Sequence, residues 1–284
     1  MFRKLLKYEW KANAGLLGML SLAAVGVGVL GAIILRVLVN YSDEISSSRV
    51  PAVLIFIPLG LLLAFCFLAL MVYTVAVTIL LLYGFYKNKF TDEGYLTFTL
   101  PVRTCQIFLS SGLVILLWQL ISVVLTVALF AMILFVGTAR EGFINREALE
   151  AFEQISRDFS DIFLDFGREM GAGYGILTML SLIITPIYGV ISNMTFITLG
   201  AVLAKKHKIL AAIGLSYAGS MAISILSSVV TIFPTIMLIN DPSLESIAGY
   251  YTLSGALQLA IYLGLAVGGY FLSTGLMKHK LNLP

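Results

Sequence analysis

Six long apolar stretches without charged residues alternate with short polar segments along the 284-residue chain. The shortest stretch has 24 residues and the longest has 37. Because about 20 mostly apolar residues cross a bilayer as a helix, each stretch is long enough for one span and too short for two. The pattern therefore predicts an all-α integral membrane fold, a single transmembrane domain over 1–284 with spans at 15–39, 52–84, 104–137, 174–203, 209–239 and 250–276.

The segment before the first span predicts an amphipathic helix at residues 1–14. At about 100° per residue, its apolar side chains share one arc and its four basic side chains share the opposite arc. Such a helix lies in the membrane interface with its basic face toward anionic headgroups, or it docks a partner on the inner side. Glu9 falls within the apolar arc, and an interfacial anchor alone does not explain it.

Composition excludes several classes of protein. Hydrophobic residues make up 60% of the chain and charged residues only 12%, about half of what a soluble domain carries. A soluble enzyme, a nucleic-acid binder and a disordered protein are therefore poor interpretations. Cys66 and Cys105 are too far apart in sequence for a CxxC pair, which argues against a disulfide framework or a structural zinc site.

The distribution of charge predicts the orientation. With the N-terminus inside and six crossings, the inner segments hold 12 of the 18 Lys and Arg residues but only 3 of the 15 acids. The inner side then carries a net charge of +9 and the outer side −6, as the positive-inside rule requires. The sequence therefore predicts a multi-pass protein of the cell membrane of a bacterium, with both termini in the cytoplasm.

No span carries a charged residue in its middle, and both histidines, His207 and His279, lie in inner segments. Proton-driven carriers need an ionisable group within the membrane, so proton coupling is disfavoured. Hydroxyl residues are frequent in the fourth and fifth spans. They either line a pathway or bond to the carbonyls of their own helix.

The first inner loop, 85–103, is the most informative polar segment. Thr91 or Asp92 can cap a short helix, Gly94 allows close approach of another backbone, and Pro101 ends the segment. Apolar side chains in a loop outside the membrane indicate either a loop folded under its own helices or a docking surface for an inner partner.

The second outer loop, 140–169, predicts an extracellular amphipathic helix. Apolar residues recur every three or four positions, and acidic residues occupy the opposite side. The apolar stripe can lie on the membrane or on the spans, pair with a second copy of the chain, or receive an amphipathic substrate. Its members are Leu149, Phe152, Ile155, Phe159, Ile162, Phe163 and Phe166.

The sequence lacks a GxxxxGK[ST] phosphate loop, an HExxH motif and a GxSxG motif. We therefore expect no catalytic, cofactor-binding or metal-binding residues in this chain, and no enzymatic activity of its own. Any uphill transport needs energy from a separate subunit, because the inner segments are too short to form a nucleotide-binding domain.

The whole arrangement resembles the membrane subunit of an ABC exporter of the second type, a six-span permease with a separate ATPase chain. The local match is Asp92-Glu93-Gly94-Tyr95-Leu96 followed by Leu100-Pro101-Val102-Arg103 before the third span. Many members of that family have Ser where this chain has Arg103. The resemblance implies that the segment docks into the ATPase through Phe90, Thr91, Asp92, Glu93, Gly94, Tyr95, Leu96, Phe98, Leu100 and Pro101.

The same resemblance implies two permease chains, identical or different, and two ATPase chains that bind ATP and magnesium. Glu9 is an additional predicted ATPase contact. Membrane lipids are the other expected partners, and nucleic acid is not expected. The cargo would be amphipathic or hydrophobic: an antimicrobial or other peptide, a drug or a lipid. The alternatives are an ATP-independent channel or carrier, and a membrane scaffold or sensor that uses the extracellular helix.

Overall fold

The computed structural model describes residues 2–40, 53–91, 94, 97, 99, 102–137, 150, 153–154, 157–158, 160–161, 172–204, 208–240 and 244–279. Of these residues 98% are helical, and none is in a strand. The predicted all-α class is therefore confirmed for the described part of the chain.

Six long helices account for nearly all of the described residues, and each is long and apolar enough to cross a membrane. Their number agrees with the six uncharged stretches of the sequence. In chain order they are α1 Phe2–Asn40, α2 Val53–Phe90, α3 Thr104–Gly137, α4 Ala172–Leu203, α5 Lys208–Asn240 and α6 Leu244–His279.

Helices α1, α2 and α6 extend several residues beyond the predicted spans; α6 begins at Leu244 and ends at His279, against a predicted 250–276. The structure has no break between the predicted interfacial helix at 1–14 and the first span, because α1 runs without interruption for 39 residues. At 1.5 Å per residue α1 is about 58 Å long, roughly twice the thickness of a bilayer core. Helix α2 continues to Phe90, so the first six residues of the predicted coupling segment belong to this helix.

The chain divides into two compact units. The first unit comprises Met1–Glu9, Leu82–Leu116 and Ser160–Pro284, and the second unit comprises Trp10–Leu81 and Leu117–Phe159. In the second unit, α1 and α3 approach closely at glycine positions, where no side chain separates the two helices. A Cβ added to Gly28 would lie 2.8 Å from Cδ2 of Leu129, a distance that real Cβ contacts do not show.

In the first unit, α4 packs against α5 and α6, and α5 also packs against α6. The buried contact between α4 and α6 includes a hydrogen bond of 3.1 Å from the Ser273 hydroxyl to Thr195 Oγ1. Helices α4 and α5 meet most closely at Gly200, where an added Cβ would lie 2.6 Å from the backbone nitrogen of Ala212.

Part of the predicted extracellular helix is described. Residues 150, 153–154, 157–158 and 160–161 are helical and exposed, and they include acids of the predicted polar side. Arg157 and Glu153 form an exposed ion pair with 2.8 Å between Nη2 and Oε2. The seven stripe residues lie outside the described residues, so the apolar stripe stays a prediction: Leu149, Phe152, Ile155, Phe159, Ile162, Phe163 and Phe166.

Candidate functional site

Three of the ten predicted ATPase-coupling residues are described. Phe90 is the last residue of α2 and only 3% exposed. Thr91 lies in a bend, and Gly94 is helical and buried. The other seven predicted coupling residues lie outside the described residues: Asp92, Glu93, Tyr95, Leu96, Phe98, Leu100 and Pro101.

The described part of this segment folds back on the end of α2. The backbone N–H of Gly94 donates to the carbonyl of Thr91 at 2.8 Å. The Thr97 hydroxyl donates to the carbonyl of Asn88 at 3.3 Å. These bonds use carbonyl groups near the helix end, which have no partner within the helix itself. The segment is therefore attached to α2 through the bond from Thr97 to Asn88.

A buried ion pair lies directly beside this segment. Lys89 Nζ donates to Glu9 Oε1 at 2.9 Å, and the two side chains are only 4% and 9% exposed. Lys89 lies in the last turn of α2, where a positive charge also interacts favourably with the helix dipole. The pair joins the beginning of α1 to the end of α2, residues that are 80 positions apart in sequence.

The beginning of α3 completes the surroundings of the carboxylate. The Ser111 hydroxyl lies 2.8 Å from Glu9 Oε1 and 3.0 Å from the carbonyl of Ile107, so its single proton is shared between them. The Ser110 hydroxyl lies 3.5 Å from the same carboxylate oxygen. Hydrogen bonds to an ionised group are stronger than neutral ones, and they reduce the cost of burying the charge.

Aromatic side chains of the same helix ends contact one another and reach α6. Phe85 and Phe90 meet edge to face with their ring centroids 5.7 Å apart. Phe85 also contacts Phe108 of α3 at 6.3 Å, and Phe108 contacts Tyr270 of α6 at 5.9 Å. Such pairs add about 0.5–1.5 kcal/mol beyond the burial of their surface. We call the ion pair, the two serines and these rings the anchor cluster.

The anchor cluster contains residues that the sequence analysis did not single out. They are Lys89, Ser110, Ser111, Phe85, Phe108 and Tyr270. One signal in the sequence pointed toward it: Glu9 lies on the apolar arc of its helix, where an unpaired charge would be costly. That signal indicated the need for a partner without identifying the partner.

The predicted ATPase contact of Glu9 stays a prediction. The structure places its carboxylate against Lys89 and Ser111, in a position that is 7% exposed. A carboxylate on the apolar arc needs a basic partner, and Lys89 of the same chain provides one.

The arrangement is suited to a mechanical role. It joins the starts of α1 and α3, the end of α2 and a ring of α6. Among the residues that the structure describes, no group of three or more His, Cys, Asp or Glu side chains could hold a metal ion. The cluster thus joins four helices through buried contacts, and the segment at 91–103 follows directly from its α2 end.

No protein-family model, curated protein or solved structure matches this chain.

Proposed function

We propose that this chain is the transmembrane permease subunit of an ATP-driven exporter that resembles ABC exporters of the second type. It moves an amphipathic or hydrophobic cargo outward, and a separate nucleotide-binding subunit supplies the energy from ATP and magnesium. A second permease chain, the same or different, completes the working unit. In this proposal the chain lies in the cell membrane of a bacterium, with both termini in the cytoplasm.

The observation that carries this proposal is the anchor cluster beneath the coupling segment. A segment that transmits movement must be fixed to the helices that move. Thr97 bonds to the end of α2, while the neighbouring Lys89 is paired with Glu9 of α1, whose carboxylate also accepts a hydrogen bond from Ser111 of α3. A displacement of the segment would therefore act on several helices together, since a buried ion pair is costly to separate.

The charge pattern supports the proposed direction and partner. The ends of α2 and α6 lie in segments rich in Lys and Arg, and the only acids predicted on that side are Glu9, Asp92 and Glu93. Asp92 and Glu93 would face basic residues of an ATPase. The absence of charged residues in the middle of the spans favours an amphipathic or apolar cargo over a small ion.

The class of protein is tested by recovering the chain from native membranes in a mild detergent. We expect a separate protein with a Walker phosphate loop to co-purify in equal amount. Recovery of the chain alone, combined with conduction or exchange of solute by proteoliposomes, would favour the ATP-independent channel or carrier. Recovery with an extracellular protein bound at 140–169, and no movement of cargo, would favour the scaffold or sensor.

The coupling segment is tested by the double variant Glu93→Ala with Tyr95→Ala. We expect transport to fall about tenfold or more, because interface hot spots cost about 2 kcal/mol or more when truncated. The measurement compares ATP hydrolysis and cargo uptake in inverted vesicles. The matched control is Glu153→Ala with Tyr83→Ala, since both residues are exposed and outside the segment. Unchanged transport and unchanged hydrolysis in the first variant would contradict the docking assignment.

A further inference from the structure

Three neighbouring recesses follow α4, α5 and α6 in the first unit. Their volumes are about 450 Å³, 300 Å³ and 440 Å³. The first and second share Thr231, Gln258 and Tyr262 as wall residues. The third lies on the other side of Tyr188, whose ring stacks on Tyr262 with the centroids 4.4 Å apart. We call them together the tyrosine groove, after Tyr174, Tyr188, Tyr217, Tyr250, Tyr251 and Tyr262.

The walls of the groove combine polar groups with apolar surface, and their described residues carry no charged side chain. The described lining residues include no Asp, Glu, Lys, Arg or His. Hydroxyls, one glutamine amide, one asparagine amide and tyrosine rings provide the polar surface instead. A ligand with a net charge would find no partner here, and burying an unpaired charge is far more costly than burying a hydroxyl.

Hydrogen bonds within the wall determine what it can still offer. Gln258 Nε2 donates to the Tyr262 phenol oxygen at 2.7 Å, which leaves the phenol proton to point elsewhere. Thr231 donates its proton to the carbonyl of Ser227 at 3.1 Å, so its oxygen keeps acceptor capacity. The hydroxyl oxygen of Ser227 is buried and has no partner among the described residues. The wall therefore presents both donors and acceptors.

Neither hydrocarbon nor a second helix fits this surface well. Serine hydroxyls of the wall donate to carbonyls of their own helices, as Ser181, Ser216 and Ser220 do, so their oxygens keep acceptor capacity that lipid tails cannot use. Helices associate in membranes through small residues that let their backbones approach closely. The tyrosine rings that border the groove keep a neighbouring backbone away. A concave site of about 450 Å³ instead lies in the usual range of small-molecule pockets.

The size of the groove also argues against a helical peptide. A helix about 10–12 Å across has a cross-section of about 95 Å², so the first recess would hold only about one turn of it. A compact headgroup fits such a volume better. Tyrosine rings combine an apolar face with a polar edge, and each hydroxyl of a ligand can both donate and accept a hydrogen bond.

We propose that the tyrosine groove binds a neutral amphiphile whose headgroup carries several hydroxyls, such as the sugar headgroup of a glycolipid. The apolar tail extends into the bilayer beside α5, where large apolar side chains are exposed. This binding goes beyond the proposed transport function and does not depend on it, because the groove lies within a single chain and needs no ATPase.

The test uses the full chain alone, purified in a polyoxyethylene detergent and placed in phosphatidylcholine nanodiscs. The probe is dodecyl maltoside with a photoreactive diazirine in its alkyl chain. We expect saturable labelling that maps to α4, α5 and α6. Amphiphiles with the same tail and a phosphocholine or trimethylammonium headgroup should compete at least about tenfold less well. Labelling that does not saturate, or equal competition by the charged headgroups, would overturn the proposal.

Two variants test the polar contacts. Gln258→Leu and Tyr262→Phe should each raise the half-saturating concentration about three- to tenfold, the effect of one lost hydrogen bond. The matched controls are Gln119→Leu and Tyr83→Phe, which remove the same groups outside the groove. Thr231→Val provides a further test if Gln258→Leu does not give a monodisperse protein. Unchanged affinity in the groove variants would overturn the assignment.

Competition with a neutral peptide separates the two ligand classes. A capped tetrapeptide of alanine and serine carries donors and acceptors of its own but no sugar ring. We expect it to leave maltoside labelling unchanged at concentrations that saturate the probe. Displacement of the maltoside by this peptide at a lower concentration than by unlabelled dodecyl maltoside would contradict the proposed ligand class.

Discussion

Replacing Lys89 with Met is expected to destabilise the protein by about 3–5 kcal/mol, because it removes the Lys89 ammonium from the buried Glu9 carboxylate. Glu9→Leu should cost a similar amount, because it removes the carboxylate from the buried Lys89. The hydroxyl of Ser111 keeps its bond to the carbonyl of Ile107 in both variants, so the broken ion pair dominates the effect. Unfolding by SDS in mixed micelles measures the change.

The double variant distinguishes an unpaired charge from lost packing. When both charges are replaced by apolar residues of similar size, the cost of burying them disappears as well. Glu9→Leu with Lys89→Met should therefore be much more stable than the sum of the single effects predicts. The exposed pair of Arg157 and Glu153 supplies the control, since an i,i+4 surface pair is worth about 0.3–0.5 kcal/mol. Additive effects at Glu9 and Lys89 would contradict the buried pair.

Gly200→Ala is expected to cost about 3 kcal/mol, near the upper end for overpacking. The new Cβ would lie 2.6 Å from the backbone nitrogen of Ala212 and would also meet its Cα. Backbone atoms cannot rotate away as a side chain can, so α4 and α5 must separate. A lower thermal denaturation temperature in fluorescence-detected size-exclusion chromatography checks this result.

Two other glycines of the same helix pair make the comparison quantitative. Gly189→Ala should be nearly neutral, because nothing lies within 4 Å of its added Cβ. Gly219→Ala should fall between the two, since its Cβ would meet only the ring of Phe196, which can shift. Equal effects at all three positions would show that helix propensity, rather than the close approach at Gly200, determines stability.

The number and type of the helices could be predicted because both depend on local chemistry. An uncharged stretch of more than 20 apolar residues has few stable alternatives to a helix in a membrane. The third span, predicted at 104–137, matches α3 at both ends. The end of α2 was predicted too early, at residue 84, because the polar residues near Lys87 and Lys89 resemble a loop in hydropathy.

The candidate site was only partly predictable. The sequence indicated the segment after α2 and marked Glu9 as unusual, because a carboxylate on an apolar arc needs a partner. It could not choose among the many basic residues of the chain. Lys89 is 80 positions away from Glu9 in sequence, and no local pattern connects a residue in the last turn of one helix with the start of another.

Glycine positions illustrate the same limit. Gly264 and Gly268 have the four-residue spacing that is typical of close helix packing, yet nothing lies within 4 Å of a Cβ added to either. Gly200 has Ala204 rather than a second glycine at that spacing, but its added Cβ would meet backbone atoms of Ala212 in α5. Spacing shows which residues share a face of a helix, but not which face another helix covers.

By itself, the sequence determined that this protein has six apolar helices and a charge distribution that favours cytoplasmic termini. These properties follow from the local balance between hydrocarbon and water. Only the tertiary structure decided that Glu9 meets Lys89 and that hydroxyls of α5 line a groove with tyrosines of α4 and α6. The physical reason is that these contacts depend on how the helices are rotated and matched, which long-range packing determines.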